Sequence, residues 1–216
     1  MVQDIIIRSF DCKDRAKVRQ IACDTAFMGE SCTKFFDGEE LFADALTLYY
    51  TDHEPESCFV AEKNSKVIGY LIGARDVAVM DQTFKNKIIM PLARKAFASG
   101  IFLKKKNIRF FYHIFLSVIR GEFSEPSFAK KYPATLHINI EDGQRCGGVG
   151  SKLIAAHLEY LKRFHVKGVH FATFSDAASR FFLKDGFRLL YQTKRSYFRH
   201  ILNKDVNLYI LGKTLY

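Results

Sequence analysis

The stretch from Ile138 to Ala156 sets the tightest limit on what this chain can fold into. A strand-like run, Ala134 to Ile140, ends at Glu141-Asp142-Gly143, and Gln144-Arg145-Cys146-Gly147-Gly148-Val149-Gly150 follows. From Ser151 onward, Leu153, Ile154, His157, Leu158 and Leu161 recur at a spacing that predicts a helix. Strand, glycine loop and helix, in that order, aim backbone N–H groups at an anion. The first N–H groups of a helix lack internal partners, and the helix dipole is positive there. Glycine lets the backbone approach a phosphate with no Cβ in the way. The same segment also reads as a plain turn closing a strand–helix unit. No Gly-Lys-Ser/Thr ends the loop, so it is not a Walker loop, and the Gly-x-Gly-x-x-Gly dinucleotide spacing is absent.

The segment does match Arg/Gln-x-x-Gly-x-Gly/Ala, as Arg145 to Gly150. That pattern resembles the pyrophosphate loop of the GNAT superfamily of acetyl-CoA-dependent N-acetyltransferases. A second segment, Ser175-Asp-Ala-Ala178-Ser-Arg-Phe181-Phe182-Leu-Lys-Asp-Gly186-Phe187, resembles the family's Asn-x-x-Ala-x-x-Phe-Tyr-x-x-x-Gly-Phe. The two weak motifs stand in the family's order, one predicted helix and one predicted strand apart.

The rest of the chain fits the same plan. Ile5–Phe10 predicts a strand; a helix capped by Asp11 or Asp14 runs to about Met28, and a second runs from Gly38 or Glu39 to Tyr50. Cys58–Lys63 and Lys66–Ala74 predict strands joined by the two-residue turn Asn64-Ser65. Strands follow at Gly168–Phe174, Phe187–Gln192 and Val206–Lys213, and Ser175 or Asp176 caps a short helix between the first two. The expected fold class is α/β: a GNAT-like mixed, mostly antiparallel central sheet flanked by helices, with a helical insertion between the third and fourth strands. We expect one domain over residues 1–216.

That insertion, at about 77–133, carries eleven basic and three acidic residues, so it accounts for eight of the chain's net ten positive charges. Helices are expected around Gln82–Ser99 and Lys104–Arg120, with Gly100 and Gly121 as stops and Pro91 kinking the first. Its lysines and arginines read either as a solvated cap over an aromatic core or as a lid favouring an anionic acceptor. A nucleic-acid interface ranks below both, because no known binding motif appears. The five cysteines show neither paired spacing nor Cys-x-x-Cys, so neither a disulfide framework nor a metal site is expected. The N-terminus has no signal-peptide pattern, and the longest apolar run, Phe110–Ile119, is too short to span a bilayer, so a cytoplasmic setting is expected.

The resemblance implies site residues. Acetyl-CoA would be the cosubstrate, and an amine the acceptor. Ile138, Asn139 and Ile140 would pair with the pantetheine arm like an added strand. The backbone of Arg145, Cys146, Gly147, Gly148, Val149, Gly150 and Ser151 would hold the pyrophosphate. Ser175 and Phe181 would border the cofactor, or serve as a plain helix cap and a core residue. The family's usual proton donor is a Tyr where this chain has Phe182, which has no proton to give. Base candidates are His137 and Glu141, with Asp142 nearby; alternation places His137, Asn139 and Glu141 on one strand face. Cys146 inside the loop is read as a bystander, since transfer within a ternary complex needs no acyl-enzyme.

Overall fold

In the computed structural model, which describes residues 4–145 and 147–216, seven strands form two antiparallel sheets. Four of them, β1 (Ile6–Ser9), β2 (Phe59–Lys63), β3 (Lys66–Ala74) and β4 (Thr135–Ile140), pair in sequence order. The other three, β5 (Gly168–Thr173), β6 (Arg188–Arg195) and β7 (Val206–Thr214), are ordered β5-β7-β6. The β2–β3 turn works because Asn64 and Ser65 both take positive φ, 52° and 58°, which matches the twist of a two-residue hairpin.

The two sheets touch through one parallel bridge, Ala134 to Val169. There the Ala134 N–H donates to Gly168 O at 3.1 Å and the His170 N–H donates to Ala134 O at 2.9 Å. Beyond it, β4 and β5 form no further ladder among the described residues. One face of the joined sheet packs on α6 (Val149–Arg163) and α7 (Asp176–Lys184), with Leu136, Leu153, Ile154, Phe171 and Phe182 in a shared core. The other face, through Tyr70 and Ile72, packs on α1 (Arg15–Asp24) and lies beneath α2 (Glu39–His53).

Between β3 and β4 run α3 (Val77–Thr83), a single π-helical turn at Phe84–Ile88, α4 (Ile89–Ala98) and α5 (Lys105–Ile119). The structure differs here from expectation. Helix starts at Val77 because the Asp76 carboxylate accepts from the Ala78 and Val79 N–H groups. Pro91 falls in the first turn of α4, where a missing N–H costs little, and the wide turn just before it takes up the change of direction. Near the N-terminus, α1 stops at Asp24 instead of reaching Met28. The Thr25 N–H and hydroxyl both donate to Ile21 O, and Phe27 and Glu30 then bond each other in a tight turn. β6 runs three residues past Gln192, and α8 (Arg199–Leu202) is a single turn the sequence reading did not foresee.

α5 is clamped at both flanks. Its fully buried Asn107 accepts from the Asp37 N–H at 2.7 Å and donates to Asp37 O at 3.0 Å and Ile101 O at 2.9 Å. Lys106 pairs with Asp37 at 2.5 Å. Just past the C-terminal end of α5, Glu122 accepts from the N–H and hydroxyl of Ser196 on the β6–β7 loop at 2.7 and 2.6 Å, and Glu125 pairs with Arg195 at the end of β6. The His113 and His200 rings stack in parallel, 4.1 Å apart. Phe110 fills the space between, against Phe35 at 4.9 Å and Phe198 at 6.1 Å. Thus α5 ties the α1–α2 loop to the β6–β7 loop.

Candidate active site

The gap between β4 and β5 is a consequence of strand alternation. Ala134 spends both backbone groups on β5, so Leu136, Ile138 and Ile140 point theirs the same way, into the gap. Asn139 is out of phase with them. It faces β3 opposite Tyr70, and its backbone belongs to that ladder.

At the end of β4, Gly143, Gly147 and Gly148 hold φ values of 77°, 77° and 71°, a region a side chain would strain. Helix α6 begins two residues earlier than expected, at Val149, with Gly148 as its N-cap and, among the described residues, no side chain capping it. Its first bond is Lys152 N–H to Gly148 O at 3.0 Å. The N–H groups of Val149, Gly150 and Ser151 therefore precede the ladder, with the positive end of a 15-residue helix behind them. Gly150 is fixed by packing. A Cβ there would stand 3.0 Å from the Phe181 ring and 3.6 Å from Ile140. Phe181, on α7, thus bridges the helix start and the end of β4, and it keeps 36% of its surface exposed. Cys146 lies outside the described residues.

Arg145 folds back over the loop. Its guanidinium reaches Ile140 O and Gly29 O, each at 3.4 Å, and stands 3.8 Å from Asp142. The Ser175 hydroxyl caps α7 by accepting from the Ala178 N–H at 3.2 Å. Asp176 is not the cap; it accepts from the Tyr209 hydroxyl at 2.8 Å. Phe182 is 3% exposed, with Phe171 at 4.4 Å and Phe187 at 5.3 Å.

On the opposite face of β4, below α1, His137 and Asn139 meet a residue the sequence reading missed. The Tyr70 hydroxyl accepts from the Asn139 amide at 3.0 Å and lies 3.2 Å from His137 Nδ1. Two-residue alternation along a β3–β4 pair was the signal that could have found it. Burial holds the Tyr70 phenol above its ordinary range. His137 is partly exposed, yet the protein around it pushes its pKa down to about 4, so the ring is neutral near pH 7. Glu141 shares this face, four residues or about 13 Å along the strand, and is engaged by Lys17 at 2.5 Å. His137 and Glu141 are therefore not one catalytic pair. Among the described residues, no group of three or more potential ligands could hold a metal ion.

No protein-family model matches this sequence, and no curated protein matches it. Solved structures do match, over nearly the whole chain. SsHAT superposes with a TM-score of 0.72 at 19% identity, with 99% of each chain covered. A polyamine N-acetyltransferase of Drosophila melanogaster, which forms N-acetylagmatine, has a TM-score of 0.63 at 13% identity, covering 98% of this chain and 100% of that one. The chain has the GNAT fold. yncA of Salmonella typhimurium, solved with its cofactor acetyl-CoA, has a TM-score of 0.59 at 14% identity, covering 98% of this chain and 94% of that one. Within the GNAT fold of this chain, the β4–β5 gap, the uncapped α6 and Phe181 are contiguous, while the His137–Tyr70–Asn139 group lies across the sheet from them.

Proposed function

We propose that the protein is an N-acetyltransferase that moves an acetyl group from acetyl-CoA to a primary amine of a small molecule or protein, by direct attack in a ternary complex. One observation carries this reading: an open strand edge at Ile138 and Ile140 runs straight into an uncapped helix N-terminus at Val149–Ser151. The edge suits an extended amide-bearing arm, and the helix end suits its pyrophosphate. Acetyl-CoA supplies an activated thioester. The chain's residues would hold it, with Phe181 against its arm and Arg145 free to swing from its weak contacts toward the phosphates.

His137 is the preferred base. An ammonium is too weak an acid for a ring pushed down to about 4, so the amine must arrive neutral. Once the nitrogen has attacked, its proton is far more acidic, and a weak neutral base suffices to take it. This role requires the tautomer in which Nδ1–H donates to Tyr70 and Nε2 accepts. Glu141, bound to Lys17, is the second candidate. The test is to incubate the protein with acetyl-CoA and a panel of amines and measure thiol release. His137→Ala should lower turnover at least tenfold with CoA affinity nearly unchanged; an unaltered rate removes His137 from the mechanism. If calorimetry shows no CoA binding, the whole reading fails.

A second reading, an acyl-CoA-binding module without turnover, is favoured by Phe182, which is buried and carries no proton. CoA binding without thiol release from any amine would select it.

A further inference from the structure

α5 is apolar on the wrong side. Its inward face buries Asn107 and Ser117 beside Phe110 and Ile114. Its outward face carries Ile108, Tyr112, Phe115 and Ile119, spaced 4, 3 and 4 residues apart, which is one stripe of a helix. They are 51%, 57%, 60% and 67% exposed, and the stripe runs for about 17 Å. It continues at its N-terminal end, where Phe111 packs on Phe102 at 5.5 Å and the neighbouring Leu103 is 82% exposed. Monomeric proteins rarely leave so many large side chains contiguous and open.

The charge around the stripe narrows what covers it. Lys104, Lys105 and Arg109 flank it, and among the described residues none of the three forms an ion pair. The surrounding segment, 77–133, holds eight of the chain's ten net positive charges. A second copy pairing through this face would bring like charge against like charge, since a two-fold contact sets the same patch on itself. Nucleic acid would match the charge and leave the stripe wet. An interface that takes apolar side chains and rewards flanking lysines is an anionic bilayer surface. No helix of the described residues is long and apolar enough to cross a membrane, so the contact would be peripheral.

We infer that the outward face of α5, with the Phe102-Leu103 turn before it, docks on anionic lipid membranes. Phe115 and Ile119 enter the acyl boundary while Lys104, Lys105 and Arg109 sit among the headgroups. This inference does not depend on the reading of the acyl-CoA site.

The experiment is sedimentation of the full chain with vesicles of phosphatidylcholine alone or with about 30% phosphatidylserine. Partitioning onto the anionic vesicles should exceed that onto the neutral ones at least tenfold and fall in high salt. Phe115→Asp should weaken it at least tenfold, and Lys104→Gln and Lys105→Gln about fivefold each, all with unchanged melting temperature. The chain contains no tryptophan, so Phe115→Trp adds a lone reporter whose emission should shift to the blue on anionic vesicles only. No sedimentation with anionic vesicles, or equal sedimentation of the Phe115→Asp variant, overturns the proposal. So does a concentration-dependent dimer that Phe115→Asp abolishes, which would make a second copy the occupant.

Discussion

Helices α5 and α6 each run for 15 residues and each carry an apolar stripe, yet they sit in the molecule with opposite polarity. α6 turns Leu153, Ile154, Leu158 and Leu161 inward against both sheets. α5 turns Ile108, Phe115 and Ile119 outward and is held by a buried amide, by the Lys106–Asp37 ion pair and by the Arg195–Glu125 pair just past its end. Packing of apolar area fixes the first helix, and directional bonds to two loops join Phe110 and Ile114 in fixing the second. An apolar period therefore announces a helix without saying which side is inside.

The largest break in this comparison should come from Asn107→Leu. It keeps the volume but strips the partners from the Asp37 N–H, Asp37 O and Ile101 O, all around a fully buried site. At about 1–3 kcal/mol for each unmade bond, urea unfolding should show a loss of about 4 kcal/mol, comparable with Leu153→Ala in α6.

The polar residue that α6 buries behaves differently. His157 is fully buried, with Nδ1 3.1 Å from Ser57 O and Nε2 without a partner among the described residues, and burial pushes it down to about 4. Its folded value lies below the unfolded one, so the unfolded chain takes the proton first as pH falls through 6.5. Stability is complete above that point and lost toward pH 4. At pH 5 the loss should be about 2 kcal/mol from this residue, and His157→Met should flatten that part of a stability–pH curve.

Gly148→Ala tests the start of α6. It forces a Cβ into a φ of 71° with nothing nearby to clash, so the cost is backbone strain of about 1 kcal/mol. CoA affinity, read by calorimetry, should fall with it if the loop holds the pyrophosphate. The smallest effect belongs to the outer face of α5: Phe115→Asp should leave stability within about 0.5 kcal/mol. A large loss of stability there would mean that the stripe is packed inside the protein.

What could be read beforehand follows the same division. The loop, its strand and the α6 stripe were legible because alternation, glycine and period speak for themselves. The start of α6, two residues before its apolar period, was not legible because Gly148-Val149-Gly150 is poor helix sequence, and burial of Val149 and the close fit of Gly150 under Phe181 belong to the tertiary structure. The ends of α5 were legible to within a residue. Its orientation was not, since Phe110 and Phe111 are neighbours in sequence and one faces in while the other faces out. The Tyr70 contact depends on strand register, and the Asn107 clamp on a partner 70 residues away.

The aromatic cluster under α5 has a consequence for the chain's modularity. Residues 77–133 resemble an ornament that could be cut away, leaving a shorter protein with the same sheet. Yet Phe35 and Phe198 lie 5.2 Å apart and both rest on Phe110. Deletion would uncover both rings and remove the one, Phe110, that rests on both loops at once. Helical segment and loop aromatics are each a liability without the other, so they would have to be gained, or lost, together.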